Sequence, residues 1–337
     1  MILALLAEAE ASVSGLERAC DVVGVSLRTI QRWRARPEGD DRRCGPRREL
    51  PNALSAGERE RALAVMRDPV YAGLSPKQLV PRLADEGRYL ASESTMYRLQ
   101  HRYGLRHSQL PVRRTHLTRA NSVHRATRPN QVWSWDITWL PTTVRGRYFY
   151  LYLVMDVWSR RIVGWAVWDH ESADRAAELI QRICADSAID PKGLVLHSDN
   201  GTPMRGATMI ATLQWLGVVP SFSRPHVSDD NPYSEALFRT LKHTAAYPRL
   251  PFASIEMART WVARFVAWYN GEHRHSGIRY VTPDERHFGR EQAVLAARRA
   301  VYERARRMHP ARWSRDVRDW TPIQAVLLNP EPARAAA

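Results

Sequence analysis

Hydrophobic positions along this chain change period twice. Up to about residue 106 they recur at helical spacing. From residue 131 to about 247 strand-like alternation is mixed with helical stretches, and beyond residue 255 the helical period returns. In residues 13–36, Leu16, Ala19 and Cys20 share a helical face, Gly24-Val25-Ser26 interrupts it, and Ile30 and Trp33 resume it. Gly24 tolerates the positive φ of a tight turn and Ser26 is a good helix cap, so residues 1–36 are expected to hold a helix-turn-helix. Residues 37–54, rich in Pro, Gly and Asp, read as a linker.

Residues 55–106 repeat the theme. One helix is expected from about Ser55 to Met66, a second opens at Ser75-Pro76, and a third starts at Ser92 or Ser94 and carries Met96, Tyr97, Leu99 and Arg102. This predicts a second helix-turn-helix-like module, with Pro81 as a departure from an ideal helix. Residues 107–130 are basic and poor in apolar runs, and read as a linker.

The middle of the chain differs. Strands are expected at 133–140, 147–157 and 161–168, then a helix at 173–187, a strand at 193–197, a helix at 207–216, a strand at 218–223 and a helix at 234–247. Three neighbouring strands followed by alternating helix and strand imply a mixed α/β sheet with helices on its faces. In the next helix, 255–270, Trp261, Phe265 and Trp268 sit at core spacing and read as packing residues. Residues 291–307 form a basic helix, and 291–337 as a whole reads as that helix plus a Pro- and Ala-rich tail.

Composition adds a partner. The 337 residues carry 50 Lys and Arg against 35 Asp and Glu, a formal charge of +15 with a pI near 10.3, and both the first 125 residues and the remainder are basic. Such a balance favours a polyanion whose phosphates can be neutralised. The three cysteines, Cys20, Cys44 and Cys184, have no close pair and no His at finger spacing, so neither a disulfide framework nor a zinc site is expected. Met1 to Leu6 is apolar but is followed at once by Glu8 and Glu10, which reads as a helix start and not a signal peptide. No apolar run reaches the roughly 20 residues a membrane span needs.

Three acids stand out within that frame. Asp136, in Trp133-Ser-Trp-Asp-Ile-Thr-Trp139, lies mid-strand with Ser134 and Thr138 on its face, where a carboxylate is costly unless paired or metal-bound. Asp199, in Leu196-His-Ser-Asp-Asn-Gly201, ends a strand, where open α/β sheets place ligand sites, although Asp-Asn-Gly is also ordinary turn chemistry. Glu235 falls in the first turn of a helix opened by Asn231-Pro232, with Arg239 and Lys242 along the same stripe and Leu237 and Leu241 on another. Three carboxylates suffice for two magnesium ions, whose remaining ligands are water and substrate phosphate.

Together these motifs resemble the DDE-type transposases of the IS-three insertion-sequence family, which have a retroviral-integrase-like catalytic core. The match rests on Trp135-Asp136-Ile137-Thr138, His197-Ser198-Asp199-Asn200-Gly201, Ser223-Arg224-Pro225 with Asp230-Asn231-Pro232, and Glu235 with Phe238-Arg239-Thr240-Leu241-Lys242. Thirty-five residues separate Asp199 from Glu235, and Trp268-Tyr269-Asn270, Arg274-His275-Ser276 and Thr282-Pro283 resemble the closing segment. Asn200 and Thr202-Pro203-Met204 depart from the pattern of many relatives, and no sustained leucine heptad precedes the core.

The resemblance implies an α/β fold, a ribonuclease H-like mixed-sheet core over residues 131–290 preceded by all-α helix-turn-helix modules. It implies that Asp136, Asp199 and Glu235 bind two Mg²⁺ or Mn²⁺ ions and catalyse cleavage and strand transfer on double-stranded DNA, both transposon terminal repeats and target. Arg28, Arg32, Arg98, Arg102, Arg239 and Lys242 are the expected DNA contacts. A homo-oligomer on DNA, in the bacterial cytoplasm and without a membrane, is the expected setting. His197 and His275 are expected to be structural or phosphate-contacting, and Asp156 to close a strand turn. The competing readings are a transposase-derived DNA-binding regulator without catalysis and a ribonuclease H-like nuclease that cuts without joining.

Overall fold

The computed structural model describes residues 8, 16–35, 52–71, 73–105, 123–186, 189–224, 230–244 and 246–329. The helix start at the N-terminus, most of the 37–54 linker, the arm over 107–122, Cys44 and the end of the tail lie outside them. The chain divides into two compact units, 1–53 and 54–337.

In the first unit, α1 (Leu16–Val23) and α2 (Leu27–Ala35) meet at Gly24, whose φ of +71° makes the turn. Cys20 and Ile30 are buried against each other with Leu16, Val25 and Trp33 around them. Ser26 accepts from the Thr29 amide, capping α2 as its position predicts.

The second unit opens with α3 (Ala56–Arg67), α4 (Pro76–Asp85) and α5 (Glu93–Arg102). Ser55 and Glu58 form a reciprocal capping box at the start of α3. Helix α4 runs through Pro81, which is buried. The mixed-sheet region follows with β1 (His124–Ala126), β2 (Val132–Pro141), β3 (Tyr148–Asp156), β4 (Ile162–Trp168), α6 (Ala173–Asp186), β5 (Val195–Ser198), α7 (Thr202–Arg205), α8 (Ala207–Leu216), β6 (Val219–Phe222) and α9 (Pro232–His243). Then come α10 (Ile255–Gly271), α11 (Pro283–His287), α12 (Glu291–Met308) and β7 (Val326–Leu328).

The main sheet has strand order β4-β3-β2-β5-β6. Strands β2 to β4 form an antiparallel meander, and β5 and β6 add to the β2 edge in parallel. This order and these directions are those of a ribonuclease H-like core. Trp133, Trp135, Tyr152, Val154 and Trp168 face α6 and α8 on one side. Leu140, Leu151, Leu153 and Met155 face Leu237 and Leu241 of α9, and Val262 and Phe265 of α10, on the other. Trp261 and Trp268 pack against that second core, as their spacing predicts. Among the described residues no helix is long and apolar enough to cross a membrane.

Two sets of contacts among the described residues go beyond the expected domain organisation. Residues 55–106 do not stand as a module of their own: Leu63, Leu79, Leu83, Met96 and Leu99 share one core with Ile278, Val281, Leu295, Tyr302 and Trp320. Residues 107–130 and 291–337 are not only linker and tail either, because β1 pairs antiparallel with β7. Neither contact is legible locally. A three-residue strand leaves almost no periodic signal, and a helix with many arginines hides an apolar stripe.

Ion pairs reinforce the shared core. Asp85, at the end of α4, accepts from Arg274 at 2.6 Å and from Arg298, whose side chain has no exposure. Arg298 also donates to the carbonyls of Arg279 and Tyr280. Glu58 accepts from Arg312, which holds its carboxyl down at about 2, and Glu93 accepts from Arg318 at 2.8 Å. Removing Asp85 leaves two buried guanidinium groups without their shared carboxylate. Asp85→Ala is therefore expected to destabilise the second unit by about 3–5 kcal/mol in denaturant titration, whereas Arg299→Ala, at an exposed helical pair, costs under about 0.5 kcal/mol.

Candidate active site

Glu235 is brought to Asp136 by buried hydrogen bonds at the start of α9. The Ser134 hydroxyl donates to Asn231 Oδ1 at 2.6 Å and lies 2.6 Å from the Ser234 hydroxyl, while Asn231 Nδ2 donates to the Trp135 carbonyl at 3.1 Å. All three side chains are essentially buried. These bonds pin the first turn of α9 to β2 on the face that carries Asp136, and Leu237 and Leu241 press the following turns onto the sheet. Pro232 at the first helical position fixes where the helix begins.

Asp199 follows the last residue of β5, which runs parallel to β2 as its neighbour. The Gly201 amide donates to Asp199 Oδ1 at 2.9 Å, an Asx-type turn that sets the carboxylate's direction. Asn200 Nδ2 donates to the Ser223 carbonyl, tying this turn to the strand beyond. A Cβ at Gly201 would come within 2.8 Å of the Met204 sulfur, so the departure from the usual family pattern is packed into α7 rather than left loose.

The three acids share one electrostatic environment. The Asp136 carboxyl is pushed up to about 7, first by burial and next by the Asp199 charge. The Ile137 amide opposes the shift, Glu235 adds to it and Lys242 opposes it. Asp136, Asp199 and Glu235 are all half-buried, whereas Arg239 and Lys242 are exposed on α9. Among the described residues no three His, Cys, Asp or Glu side chains already stand closed around a point that a metal ion could take.

Other singled-out residues have structural work. His197 Nε2 donates to the Asp230 carbonyl at 2.9 Å, leaving Nδ1 to accept from the Ser221 hydroxyl at 2.9 Å; burial lowers its pKa and keeps the ring neutral. His275 Nδ1 accepts from the Gly277 amide, and burial, with Arg160 and His273, pushes its pKa down to about 3. Asp156 accepts from the Asn130 amide and from the amide and hydroxyl of Ser159, closing the β3–β4 turn. Arg224 donates to both carboxylate oxygens of Asp230 at 2.9 Å.

Of the expected DNA contacts, Arg28 and Arg32 are exposed on α2, and Arg98 and Arg102 on α5. Of the six, Lys242 acts on the Asp136 carboxyl, opposing its upward shift. Ser134, Ser234 and Asn231 lie within the quoted motifs, but their supporting role was not evident from the sequence. The available signal was Ser134 on the same strand face as Asp136, a small polar residue where an apolar one would pack better.

A fold of this order with acids at the ends and middle of adjacent strands and at a helix start defines an integrase-like core. Two integrase core domain models match, over residues 126–228 and 216–283. The transposase for insertion sequence element IS904 of Lactococcus lactis is 29% identical over 165 residues, which cover 49% of this chain and 64% of that protein. Transposase InsF for insertion sequence IS3A of Escherichia coli is 30% identical over 161 residues, 48% of this chain and 54% of that protein. The magnesium-bound catalytic core of HTLV-2 integrase aligns over 48% of this chain and 96% of its own, at 17% identity and a TM-score of 0.35. The fold assignment rests on strand order and not on that likeness. Residues 126–283 thus carry an integrase core similar to that of insertion-sequence transposases, and the chain spans between half and two-thirds of the length of these curated relatives.

The raised Asp136 pKa has a stability consequence. An acid with a folded-state pKa near 7 and an unfolded value near 3.8 binds more protons when folded, so stability is lost as pH rises from about 4 to 7. Asp136→Asn removes that loss. In metal-free protein it is expected to raise stability by about 1–3 kcal/mol at pH 8 and by nothing measurable at pH 4, as read by thermal unfolding at the two pH values.

Proposed function

We propose that this chain is an insertion-sequence transposase that binds transposon ends and carries out metal-dependent strand cleavage and strand transfer. The observation that carries the reading is the convergence of three carboxylates from a strand, a strand end and a helix start: burial raises the Asp136 carboxyl first, and the Asp199 and Glu235 charges both add to it. Hard oxygen donors with mutually repelling charges fit a hard divalent cation such as Mg²⁺ or Mn²⁺. Asp136 and Asp199 would be the principal ligands and Glu235 would complete the second position. When bound, two such ions activate the attacking oxygen and stabilise the leaving oxygen of a phosphodiester.

The chain's own residues then have separable tasks. Lys242 and Arg239, exposed on α9 beside Glu235, contact the phosphates that flank the scissile bond. Neutral His197 holds β5, β6 and the approach to α9 in register and does not act as the base. In the first reaction water attacks phosphorus, a new P–O bond forms, the bond to the 3′-oxygen breaks and a 3′-hydroxyl leaves. In the second, that hydroxyl attacks a target phosphodiester and displaces its 3′-oxygen, so the number of phosphodiester bonds is conserved. No protein nucleophile is required. The exposed arginines of α2 and α5 are the proposed end-recognition contacts, on double-stranded DNA and in a homo-oligomer.

The test incubates the protein with labelled terminal-repeat DNA and Mg²⁺ or Mn²⁺. The wild type is expected to give cleaved and joined products, and Asp136→Asn, Asp199→Asn and Glu235→Gln to lose at least about 10³-fold in rate while still retarding the DNA. Cleaved product with no joined product would reduce the proposal to a nuclease. DNA retardation with identical, product-free lanes for wild type and variants would leave a DNA-binding regulator.

A further inference from the structure

Arg160 is buried with its charge unspent. It is 6% exposed, and its Nε and Nη1 are buried without any hydrogen-bond partner. No carboxylate pairs with it among the described residues. Its charge instead meets other cations or would-be cations, disfavouring protonation of His275 and adding to the burden on Arg286. Its backbone sits at a φ of +69°, a left-handed conformation that a long side chain adopts only under constraint. A residue carrying both costs needs an explanation.

A close partner of its guanidinium is aromatic. The guanidinium carbon lies 3.8 Å from the centre of the half-buried Tyr233 ring and over its face, a cation–π contact. Tyr233 is the second residue of α9, two before Glu235, and its hydroxyl donates to the Leu327 carbonyl at 2.7 Å. At its other end Arg160 is set in the β3–β4 turn. Its amide donates to the Asp156 carbonyl, and the Asp156 side chain gathers Ser159 and Asn130. Asp156 faces Trp133 in the β2–β3 ladder, and Trp133 is the second residue of the strand that bears Asp136.

We propose that Arg160 is a positioning residue for Glu235: stacked on Tyr233, it transmits the rigid frame of the β-meander to the first turn of α9 and so fixes the third carboxylate opposite Asp136. It acts through Tyr233, a side chain separate from the Ser134–Asn231–Ser234 bonds, so the turn has two supports. A leucine at 160 would satisfy the burial without the unpaired donors, but it would lack the flat, weakly hydrated face that stacks on the ring. The inference rests on the reading of Glu235 as part of the metal site.

The decisive measurement needs neither metal nor DNA. In metal-free protein, Arg160→Lys keeps the charge but loses the planar stack. Amide hydrogen exchange across residues 233–238 is expected to speed up about tenfold while α10 is unchanged. Tyr233→Leu is expected to reproduce the effect, and the double variant to exchange no faster than either single one, since both remove the same contact. In Mn²⁺ titration by calorimetry both variants are expected to bind about fivefold more weakly than wild type. Unchanged exchange at 233–238, loosening spread equally through α10, or additive effects of the two substitutions would overturn the positioning role; Tyr233→Leu decides the matter should Arg160→Lys fail to fold. If the wild type itself binds no Mn²⁺, the metal reading fails, while the exchange result still judges the Arg160 contact.

Discussion

Seating carboxylates close together in a half-buried site is the constraint around which the integrase-like core is arranged. Asp136, Asp199 and Glu235 come from a strand, a strand end and a helix, and burial, with the Asp199 and Glu235 charges behind it, works against ionisation of Asp136. These elements need cohesion from another source. They are kept together by interactions that are indifferent to charge: the continuous β2–β3 ladder, the parallel β2–β5 pairing, the Leu237 and Leu241 contacts with the sheet, and the neutral Ser134–Asn231–Ser234 network. A buried network of this kind is useful only when every member is satisfied, and here the Asn231 amide and both hydroxyls have partners. The site is thus an unfavourable local arrangement held by a favourable surrounding one, the usual relation between function and stability.

The same principle of separate supports applies to the helices that precede the core. Three acids of the 54–106 segment, Glu58, Asp85 and Glu93, pair with Arg312, Arg274 and Arg298, and Arg318. Those pairs join residues more than a hundred positions apart and sit around one apolar core. Helix α5, with Arg98 and Arg102 exposed, is therefore carried on the same body as the closing segment that contains Arg274 and His275. Independent swivelling of that helix would have to break part-buried ion pairs, of which the Asp85 set, with Arg298 fully buried, is the most costly to open from one side.

Much of this was legible in the sequence because it is local. Alternation in Trp133 to Leu140, the Gly24 turn, Ser-led helix starts and the Asn231-Pro232 helix opening each state their structure within a few residues. The three acids were legible as a set because each occupies a different local context and their spacing matches a known pattern. What was not legible is non-local. Nothing near His124 announces a strand whose partner is Val326 to Leu328, and nothing near Asp85 announces Arg298. Ser134 illustrates the middle case. Its face could be read from the strand period, but its partners, about a hundred residues away, could not.

The buried arginines also change what the net charge means. A formal charge of +15 invites the picture of a surface paved for DNA, yet Arg160, Arg274, Arg286 and Arg298 are all at most 9% exposed. Arg286 stacks on Trp158 and donates to Glu291, to the Trp158 carbonyl and to the Ile323 carbonyl, and Arg298 serves Asp85. These groups hold the closing segment, α11 and α12 together and present nothing to a phosphate. The electrostatic footprint available to a nucleic acid is consequently narrower than composition implies and must be drawn from exposed groups such as Arg239 and Lys242. Because Lys242 also acts on Asp136, the cation that would meet a phosphate is one that already tempers the repulsion within the acid site.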